Sequence, residues 1–205
     1  MSYENEIAKK ISNQDVLPEK LSISIIKYFW QSNPLSGKRI KTIPKFLRKI
    51  GVLKNFSDNE LRILSKYLHL RHFSPQEIIF KQNEVGVGFY FIYSGYVDIC
   101  LANDDHKSAQ DSLITLERND YFGELALLQE RSIRNASAIS RDGCELLGIF
   151  KPDIDTLINE APVVAAKLLQ SVSLIISNRL FSVTRELKEI NYKLQSFENT
   201  ESKGK

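Results

Sequence analysis

The chain has 205 residues, which is long enough for one domain with a sizeable hydrophobic core and for additional segments at its ends. Apolar residues make up 42% and charged residues 26% of the sequence, as in ordinary globular proteins. A net charge of +3 excludes a polycation built to bind nucleic acid over its whole surface. The charge is uneven, because residues 1–50 hold ten Lys and Arg against four Asp and Glu, a net +6 that leaves −3 for the remainder.

Cysteine content and hydropathy indicate a cytoplasmic protein. Cys100 and Cys144 are far apart in the sequence and form neither a disulfide scaffold nor a CxxC metal motif. The first ten residues are polar, and no apolar run approaches the roughly 18 residues that a membrane-spanning helix requires. We therefore expect no transmembrane segment.

Residues 1–50 form a predicted helical, basic N-terminal extension. A poorly patterned helix is expected over 5–33, and Asn33-Pro34 ends it. The basic stretch Lys38–Lys49 follows, and it has two interpretations. It is the solvated face of a helix that packs apolar residues onto the domain (Ile40, Ile43, Phe46 and Leu47), or it binds nucleic acid, an anionic membrane or an acidic partner. We favour the first, because charge runs are usually solvated faces.

A helix is predicted to begin after Ser57 and to run to about His69. Ser57 is a suitable N-cap residue, and Glu60 stands three positions later, as in a capping box.

The sequence then changes to a β pattern over residues 51–160. Five short segments are rich in branched and aromatic residues and are separated by turn residues: 73–80, 89–100, 111–116, 135–140 and 144–150. Many short strands at this spacing are typical of an antiparallel roll or barrel. The predicted fold class is therefore α+β, an antiparallel, jelly-roll-like β-roll flanked by helices.

The pattern returns to helix after Lys151-Pro152, and a long helix is predicted over 161–198. Its apolar residues step alternately by four and three positions, as in the seam of a two-stranded coiled coil: Ile176, Leu180, Val183, Leu187, Ile190 and Leu194. This predicts a homodimer through the C-terminal helix, although the first turns could pack on the chain's own roll. The polar residues 199–205 are predicted to be a disordered tail.

Two segments separated by a short loop resemble the cyclic nucleotide-binding domain family, as it occurs in catabolite activator protein. These are Phe122-Gly123-Glu124-Leu125-Ala126-Leu127-Leu128 and Arg134-Asn135-Ala136-Ser137-Ala138. The resemblance extends over roughly Val52 to Glu186. It implies a β-roll that binds the ribose and cyclic phosphate of a 3′,5′-cyclic nucleotide.

The residue types in these segments suit that ligand. The Arg134 guanidinium presents a planar fork that can meet two phosphate oxygens. Gly123 allows close approach of the backbone to the sugar, and Leu125 and Ala126 open a short helix whose N–H groups face the anion. Glu124 is an acceptor for the ribose 2′-OH. An alternative without ligand is that Arg134 pairs with Glu124 or Glu130, and Arg131 is a less well spaced rival for the phosphate.

The identity of the base is less well specified. Asn135 and Ala136 follow the arginine, and the amide of Asn135 is both donor and acceptor, so it does not select a base. By resemblance, Val183 and Thr184 on the long helix fall where base contacts are expected, unless Val183 is only a seam residue and Thr184 only its solvated neighbour. We expect cyclic AMP to be preferred to cyclic GMP.

No enzyme motif accompanies these residues, and no cofactor or metal is expected. There is no phosphate-binding loop, HExxH or GxSxG motif. His69 and His72 have a spacing that could bind metal, but the sequence places no acid or thiol beside them, and they are interpreted as surface residues. The chain ends at Lys205, which leaves no room for a helix-turn-helix, so DNA binding by that route is not expected.

The sequence therefore predicts a ligand-sensing protein that acts on an unknown effector protein through movement of its terminal helices. The alternative is a ligand-independent β-roll module that binds its partner through the basic N-terminal segment.

Overall fold

The structure, a computed structural model, describes residues 2–12, 42–101, 112–129 and 132–201. Its helices are α1 (Tyr3–Ser12), α2 (Ile43–Leu47), α3 (Asp58–Leu64), α4 (Lys151–Glu160) and α5 (Pro162–Glu201), with 3-10 turns at Gly51–Leu53, Ser65–Tyr67 and Glu124–Leu127. Its strands are β1 (His69–Phe73), β2 (Ile78–Phe80), β3 (Val85–Gly86), β4 (Gly88–Cys100), β5 (Ser112–Leu116), β6 (Tyr121–Phe122), β7 (Ser132–Ile133) and β8 (Ser137–Phe150). This is the predicted α+β class, with an antiparallel β-roll, flanking helices and a long C-terminal helix.

The strands β4 and β8 organise the roll. They pair antiparallel along most of their length, from Gly88 opposite Phe150 to Cys100 opposite Ser137. The strands β1 and β2 add to β8, whereas β5 and β6 add to β4, and β3 and β7 form a separate two-stranded sheet. The short strands β6 and β7 bracket the Gly-Glu segment and lead into Arg134, so the sheet pairing positions both halves of the predicted motif.

Alternation along β4 divides the core into two layers. Phe89 and Phe91 face the layer formed with the helices, whereas Tyr90 and Ile92 face the interior of the roll. All four side chains are almost completely buried. A strand that is covered on both faces reads as a continuous apolar run, which is why the segment from Phe89 was recognisable as a strand.

Several predicted boundaries shift in the structure. The capping box of Ser57 and Glu60 is confirmed, but α3 ends at Leu64 and His69 already belongs to β1. The single strand predicted over 73–80 is the end of β1, a turn and β2, whereas the strands predicted over 135–140 and 144–150 are joined in β8. Gly143 is one of the turn residues between those two predicted segments, but it takes φ +98° inside β8, where the register of pairing with β4 shifts and such an irregularity bends the strand.

The described part of the basic segment packs as the first interpretation expected. Ile43, Phe46 and Leu47 are buried in the helical layer, whereas Lys45 and Lys49 are exposed. Residues 38–41 and 13–37, including most of the predicted N-terminal helix, lie outside the described residues.

The long helix α5 changes environment along its length. Its first turns pack in the helical layer through Val164, Ala165, Leu168, Val172 and Ile175. Further along, the predicted seam residues are exposed in the monomer: Leu180 by 64%, Val183 by 52%, Leu187 by 56% and Ile190 by 53%. The helix continues to Glu201, so residues 199–201 are helical where the sequence predicted a disordered tail. Residues 202–205 lie outside the described residues.

One described stretch, Pro162–Lys193 of α5, is long and apolar enough by length and composition to cross a membrane. One third of its apolar window is buried inside the protein. The core helix of a soluble protein passes the same test, so this is weak evidence for a membrane span.

Gly95 is a position where the fold requires glycine. Its φ is +81°, and a Cβ there would lie 2.3 Å from the Gly143 carbonyl oxygen on the paired strand. We expect Gly95→Ala to lower the free energy of unfolding by about 2–4 kcal/mol, from left-handed strain and overpacking together. Denaturant unfolding measures this, with Gly51→Ala as the control, because a Cβ at Gly51 meets nothing within 4 Å. Equal stability of the two variants would contradict the close approach of β4 and β8 at this bend.

Candidate functional site

A pocket of about 330 Å³ opens between the motif segments and α5. Its lining combines the predicted residues with apolar side chains of the roll: Phe80, Ile99, Ile114, Leu116, Phe122, Gly123, Glu124, Leu125, Ser132, Ile133, Arg134, Asn135, Ala136 and Arg179. An apolar wall with a few converging polar groups is the usual character of a small-molecule site.

Gly123 shapes the turn that opens the motif. It has φ +83° and precedes the 3-10 turn Glu124–Leu127, where the Ala126 N–H donates to the Gly123 carbonyl. A Cβ on Gly123 would lie 2.8 Å from Nη1 of Arg134 and 2.9 Å from the Gly88 carbonyl oxygen. The predicted close approach at this glycine therefore exists, but the group that approaches is the Arg134 guanidinium. The N–H of Ala126 is also engaged within the turn, contrary to the expectation that it is free for an anion.

Arg134 is buried, with 4% of its surface exposed, and its guanidinium is almost fully hydrogen-bonded. Nε donates to Oε2 of Glu4 at 2.7 Å, and Nη2 donates to Oε1 of Glu4 and to the Gly88 carbonyl at 2.6 Å. Nη1 donates to the Gly123 carbonyl at 3.1 Å. The flat face of the group lies 4.1 Å from the centroid of the Phe80 ring.

These contacts correct the predicted geometry of Arg134. The fork formed by Nε and Nη2, which the sequence assigned to two phosphate oxygens, is taken by the Glu4 carboxylate. Four of the five guanidinium hydrogens are used, and the fifth, on Nη1, has no partner among the described residues. The pairing of Arg134 with Glu124 that the sequence left open does not occur, and Glu130 and Arg131 lie outside the described residues.

Glu124 is the second buried ionisable group of the pocket, with 3% of its surface exposed. Its Oε1 accepts a hydrogen bond from Nη1 of Arg179 on α5 at 2.5 Å. Its Oε2 is buried and has no hydrogen-bond partner among the described residues. Burying half of a carboxylate without a donor is unfavourable, so this oxygen is a strong acceptor for a hydroxyl group in the pocket.

Six of the nine predicted site residues line the pocket: Gly123, Glu124, Leu125, Arg134, Asn135 and Ala136. Ser132, which was not predicted, lines it as well. Ala126 lies beneath, fully buried. Val183 and Thr184 do not line the pocket and are exposed on α5, so a role for them against the base stays a prediction.

Sequence reasoning missed three polar contributors. Arg179 lies just before the predicted seam residue Leu180 and was assigned no role, yet it is the residue that contacts Glu124. Ser132 has a buried hydroxyl without a partner among the described residues. Glu4 is 130 positions from Arg134, and only the fold could reveal their contact.

The interpretation of His69 as a surface residue was wrong. Its ring is buried, and Nε2 lies 3.0 Å from both carboxylate oxygens of Asp153 at the start of α4. His72 is exposed, as expected. No cluster of three or more metal-ligating side chains occurs in the described ranges.

Comparison with known proteins identifies the domain around this pocket. Residues 70–161 match the family described as the cyclic nucleotide-binding domain. This chain carries a cyclic nucleotide-binding domain. That domain is a regulatory, ligand-binding unit and not a catalytic one.

Relatives and solved structures agree with this assignment. A cGMP-dependent protein kinase, isozyme 1, of Drosophila melanogaster is 31% identical over 124 residues, which is 60% of this chain and 16% of the kinase. The cyclic AMP receptor protein of Thermus thermophilus is 30% identical over 134 residues, which is 65% of this chain and 58% of that protein. A solved cyclic nucleotide-binding domain from Methylobacillus flagellatus has the same fold, with a TM-score of 0.59 at 18% identity, covering 71% of this chain and 80% of that one.

The chain spans only part of the length of these relatives, so the similarity concerns the binding domain. Within that domain, the predicted family and the predicted β-roll are both confirmed.

The buried pair of Arg134 and Glu4 contributes to stability in a testable way. We expect Arg134→Leu to lower the free energy of unfolding by about 3–5 kcal/mol, because it leaves the Glu4 carboxylate buried without its counter-charge. Denaturant unfolding of the ligand-free protein measures the loss. Arg48→Leu is the control: it removes an exposed pair with Asp58, at 38% and 80% side-chain exposure, and a hydrogen bond to the Phe56 carbonyl, and should cost much less stability. A similar small loss in both variants would refute the buried pair.

Proposed function

We propose that the protein is a cyclic nucleotide sensor that prefers cyclic AMP to cyclic GMP. It acts in the cytoplasm without catalysis of its own and passes the binding signal to an effector protein through its terminal helices. The observation that carries this proposal is the buried, unpartnered Oε2 of Glu124 in a pocket that also presents a fixed guanidinium.

The ribose end of the ligand is assigned to Glu124. A carboxylate is acceptor-only, so its free oxygen selects a hydroxyl donor, and a ribose 2′-OH supplies one. Arg179 holds the other oxygen at 2.5 Å, which fixes the direction in which Oε2 points. A site built to bond a hydroxyl rejects an analogue without it, because the buried acceptor then stays unpaired.

The phosphate is assigned to Nη1 of Arg134. That nitrogen lies beside Gly123 at the mouth of the turn and carries the remaining guanidinium hydrogen. A cyclic phosphate carries a single negative charge, which one cationic donor can balance. The buried Ser132 hydroxyl also lines the pocket and can donate a further hydrogen bond to the phosphate. The contact we propose is therefore single and charge-assisted, without use of the fork.

The base is assigned to the apolar part of the lining, where Ile99, Ile114 and Ile133 lie. Such a wall accepts either purine. The names of the two relatives, a cGMP-dependent kinase and a cyclic AMP receptor, likewise leave both open. Asn135 is exposed at the pocket, and its amide is both donor and acceptor, so it does not select between the purines. The preference for cyclic AMP stays a prediction from the family resemblance.

Isothermal titration calorimetry with cyclic AMP, cyclic GMP and 2′-deoxy cyclic AMP tests the ligand and its orientation. We expect cyclic AMP to bind most tightly and the 2′-deoxy analogue to lose about 1.5–3 kcal/mol, the value of a hydrogen bond to a charged group. In Glu124→Ala, the difference between cyclic AMP and its deoxy analogue should vanish.

Glu117→Ala is the control for that experiment, because this exposed acid does not line the pocket. A full deoxy discrimination that persists in Glu124→Ala would remove Glu124 from the ribose site. An absence of heat and of competition with all three nucleotides would refute the ligand assignment and leave the fold untouched.

Coupling to the rest of the molecule runs through α5. Arg179 donates to Glu124 and, at 3.3 Å, to the Tyr121 carbonyl, so the helix touches the ribose acid directly. A ligand that forms a hydrogen bond with Glu124 changes the contact between Glu124 and Arg179. A signal requires such a difference in contacts between the ligand-free and the ligand-bound state. Beyond Arg179 the exposed seam from Leu180 onward is positioned to meet the same helix of a second copy.

Dimer formation through this seam is tested by sedimentation equilibrium. We expect the wild type to be a dimer and the double variant Leu180→Lys, Leu187→Lys to be a monomer, because paired lysines cannot pack in a coiled-coil seam. Ser182→Lys adds a charge on α5 away from the seam and should leave the dimer intact. A monomeric wild type at high micromolar concentration would refute the seam as an interface.

A further inference from the structure

The N-terminal helix α1 and the residue before it are docked on the roll by the side chains of Ser2, Tyr3, Glu4 and Ile7. Ser2 donates to Glu84, and the Tyr3 ring lies 3.8 Å beneath the Arg71 guanidinium and edge-on to Phe73. Ile7, one turn further along, is 6% exposed within the apolar interior of the roll. This helix is therefore an integral part of the domain, and Glu4 is one of the residues that it buries there.

Glu4 is completely buried and saturated with donors. Its Oε1 accepts from the N–H groups of Val87 and Gly88 at 2.9 and 2.8 Å and from the Tyr90 hydroxyl at 3.3 Å. Both oxygens accept from Arg134. Burial raises the pKa of Tyr90, and the Glu4 carboxylate raises it further, so this hydroxyl stays protonated as a donor.

The Glu4 carboxylate does not line the nucleotide pocket. It lies on the far edge of the guanidinium, so a phosphate in the pocket does not compete with it for space. Glycines border the guanidinium: a Cβ at Gly86 would lie 2.7 Å from Nε, and one at Gly123 would lie 2.8 Å from Nη1. The backbone at Gly86 and Gly123 confines the guanidinium, and the Glu4 carboxylate binds it, so that Arg134 is held in one orientation.

Removing the carboxylate would change what Arg134 can do. A buried guanidinium without a counter-charge seeks another anion, and Glu124 shares the same pocket. Pairing of those two residues would neutralise the ribose acceptor and the phosphate donor together. Glu4 keeps them apart by satisfying Arg134 from behind, while Arg179 satisfies Glu124 from α5.

We infer that Glu4 is a positioning residue for nucleotide binding, through which the docking of α1 sets the orientation of Arg134 and hence the affinity of the pocket. This inference rests on the proposed function. Because coupling between two equilibria is reciprocal, a bound nucleotide also strengthens the docking of α1. The helix α1 thereby responds to nucleotide binding independently of α5, and so it is a second route by which binding can be transmitted to a partner.

The test compares Glu4→Gln with Glu6→Gln in the full chain. Glu6 is exposed on the same helix, so its substitution removes the same charge and leaves the Arg134 contact intact. We expect Glu4→Gln to weaken cyclic AMP binding by about 10- to 100-fold, because misplacing a functional group by about 1 Å can cost up to about 100-fold. Glu6→Gln should change the affinity by less than about twofold. Glu4→Asp keeps the charge but shortens the side chain, and its affinity should fall between the two; it also carries the test if Glu4→Gln does not fold.

A second readout is independent of nucleotide. In spectra of protein labelled with ¹⁵N at arginine Nε, the Arg134 resonance should be protected from solvent exchange in the wild type and in Glu6→Gln, and lose that protection in Glu4→Gln. If Glu4→Gln loses the protection but keeps its affinity for cyclic AMP, Glu4 has only a structural role and the inference is overturned. Tighter binding of cyclic AMP by Glu4→Gln would also overturn it, because Glu4 would then be a competitor of the phosphate. A wild type that binds no cyclic nucleotide refutes the proposed function, and protection that is the same in all variants then refutes the contact as well.

Discussion

The arrangement of the site depends on keeping two opposite charges buried in one pocket without letting them pair with each other. Arg134 and Glu124 lie in one pocket, at 4% and 3% exposure, and direct pairing would be the simplest electrostatic solution. The chain avoids it by giving each a separate partner from a terminal helix, Glu4 from α1 and Arg179 from α5. A pocket held in this way presents a free acceptor and a free donor hydrogen to a ligand without first breaking an internal salt bridge, which would cost several kcal/mol.

The roll supplies the rigid part of this arrangement. The strands β4 and β8 are covered on both faces, and the short pairs of β6 with β4 and of β3 with β7 fix the turn before Glu124 and the strand before Arg134. Both helices that carry the partner charges are anchored to the roll by apolar contacts, Ile7 on one side and Val172 and Ile175 on the other. The residues proposed to bind the ligand, Arg134 and Glu124, are consequently the same residues that contact α1 and α5.

Local signals predicted most of the fold and the lining of the pocket. Branched and aromatic content identified β4, the Ser57 capping box identified α3, and the spacing from Gly123 to Ala136 identified the motif, since each of these depends on neighbouring residues. The features that the sequence did not predict depend on contacts between residues that are far apart in the chain. Whether Gly143 ends a strand or bends one is decided by the partner strand β4, and the burial of His69 is decided by Asp153, 84 positions away. Glu4 stood in a polar stretch with no periodic signal, so its burial against Arg134 follows only from where the roll brings β3 and β4.

The length of α5 has a mechanical consequence. Among the described residues, Arg179 is the last one of the helix that forms hydrogen bonds at the pocket, and 22 residues follow it to Glu201. At a rise of about 1.5 Å per residue this segment projects roughly 33 Å, so a tilt of about 10° about Arg179 displaces its far end by about 6 Å. That displacement is about as large as the pitch of one helical turn. Under the proposed function, the helix would therefore act as a lever arm, because a small tilt at the contact between Arg179 and Glu124 moves its far end by several ångströms.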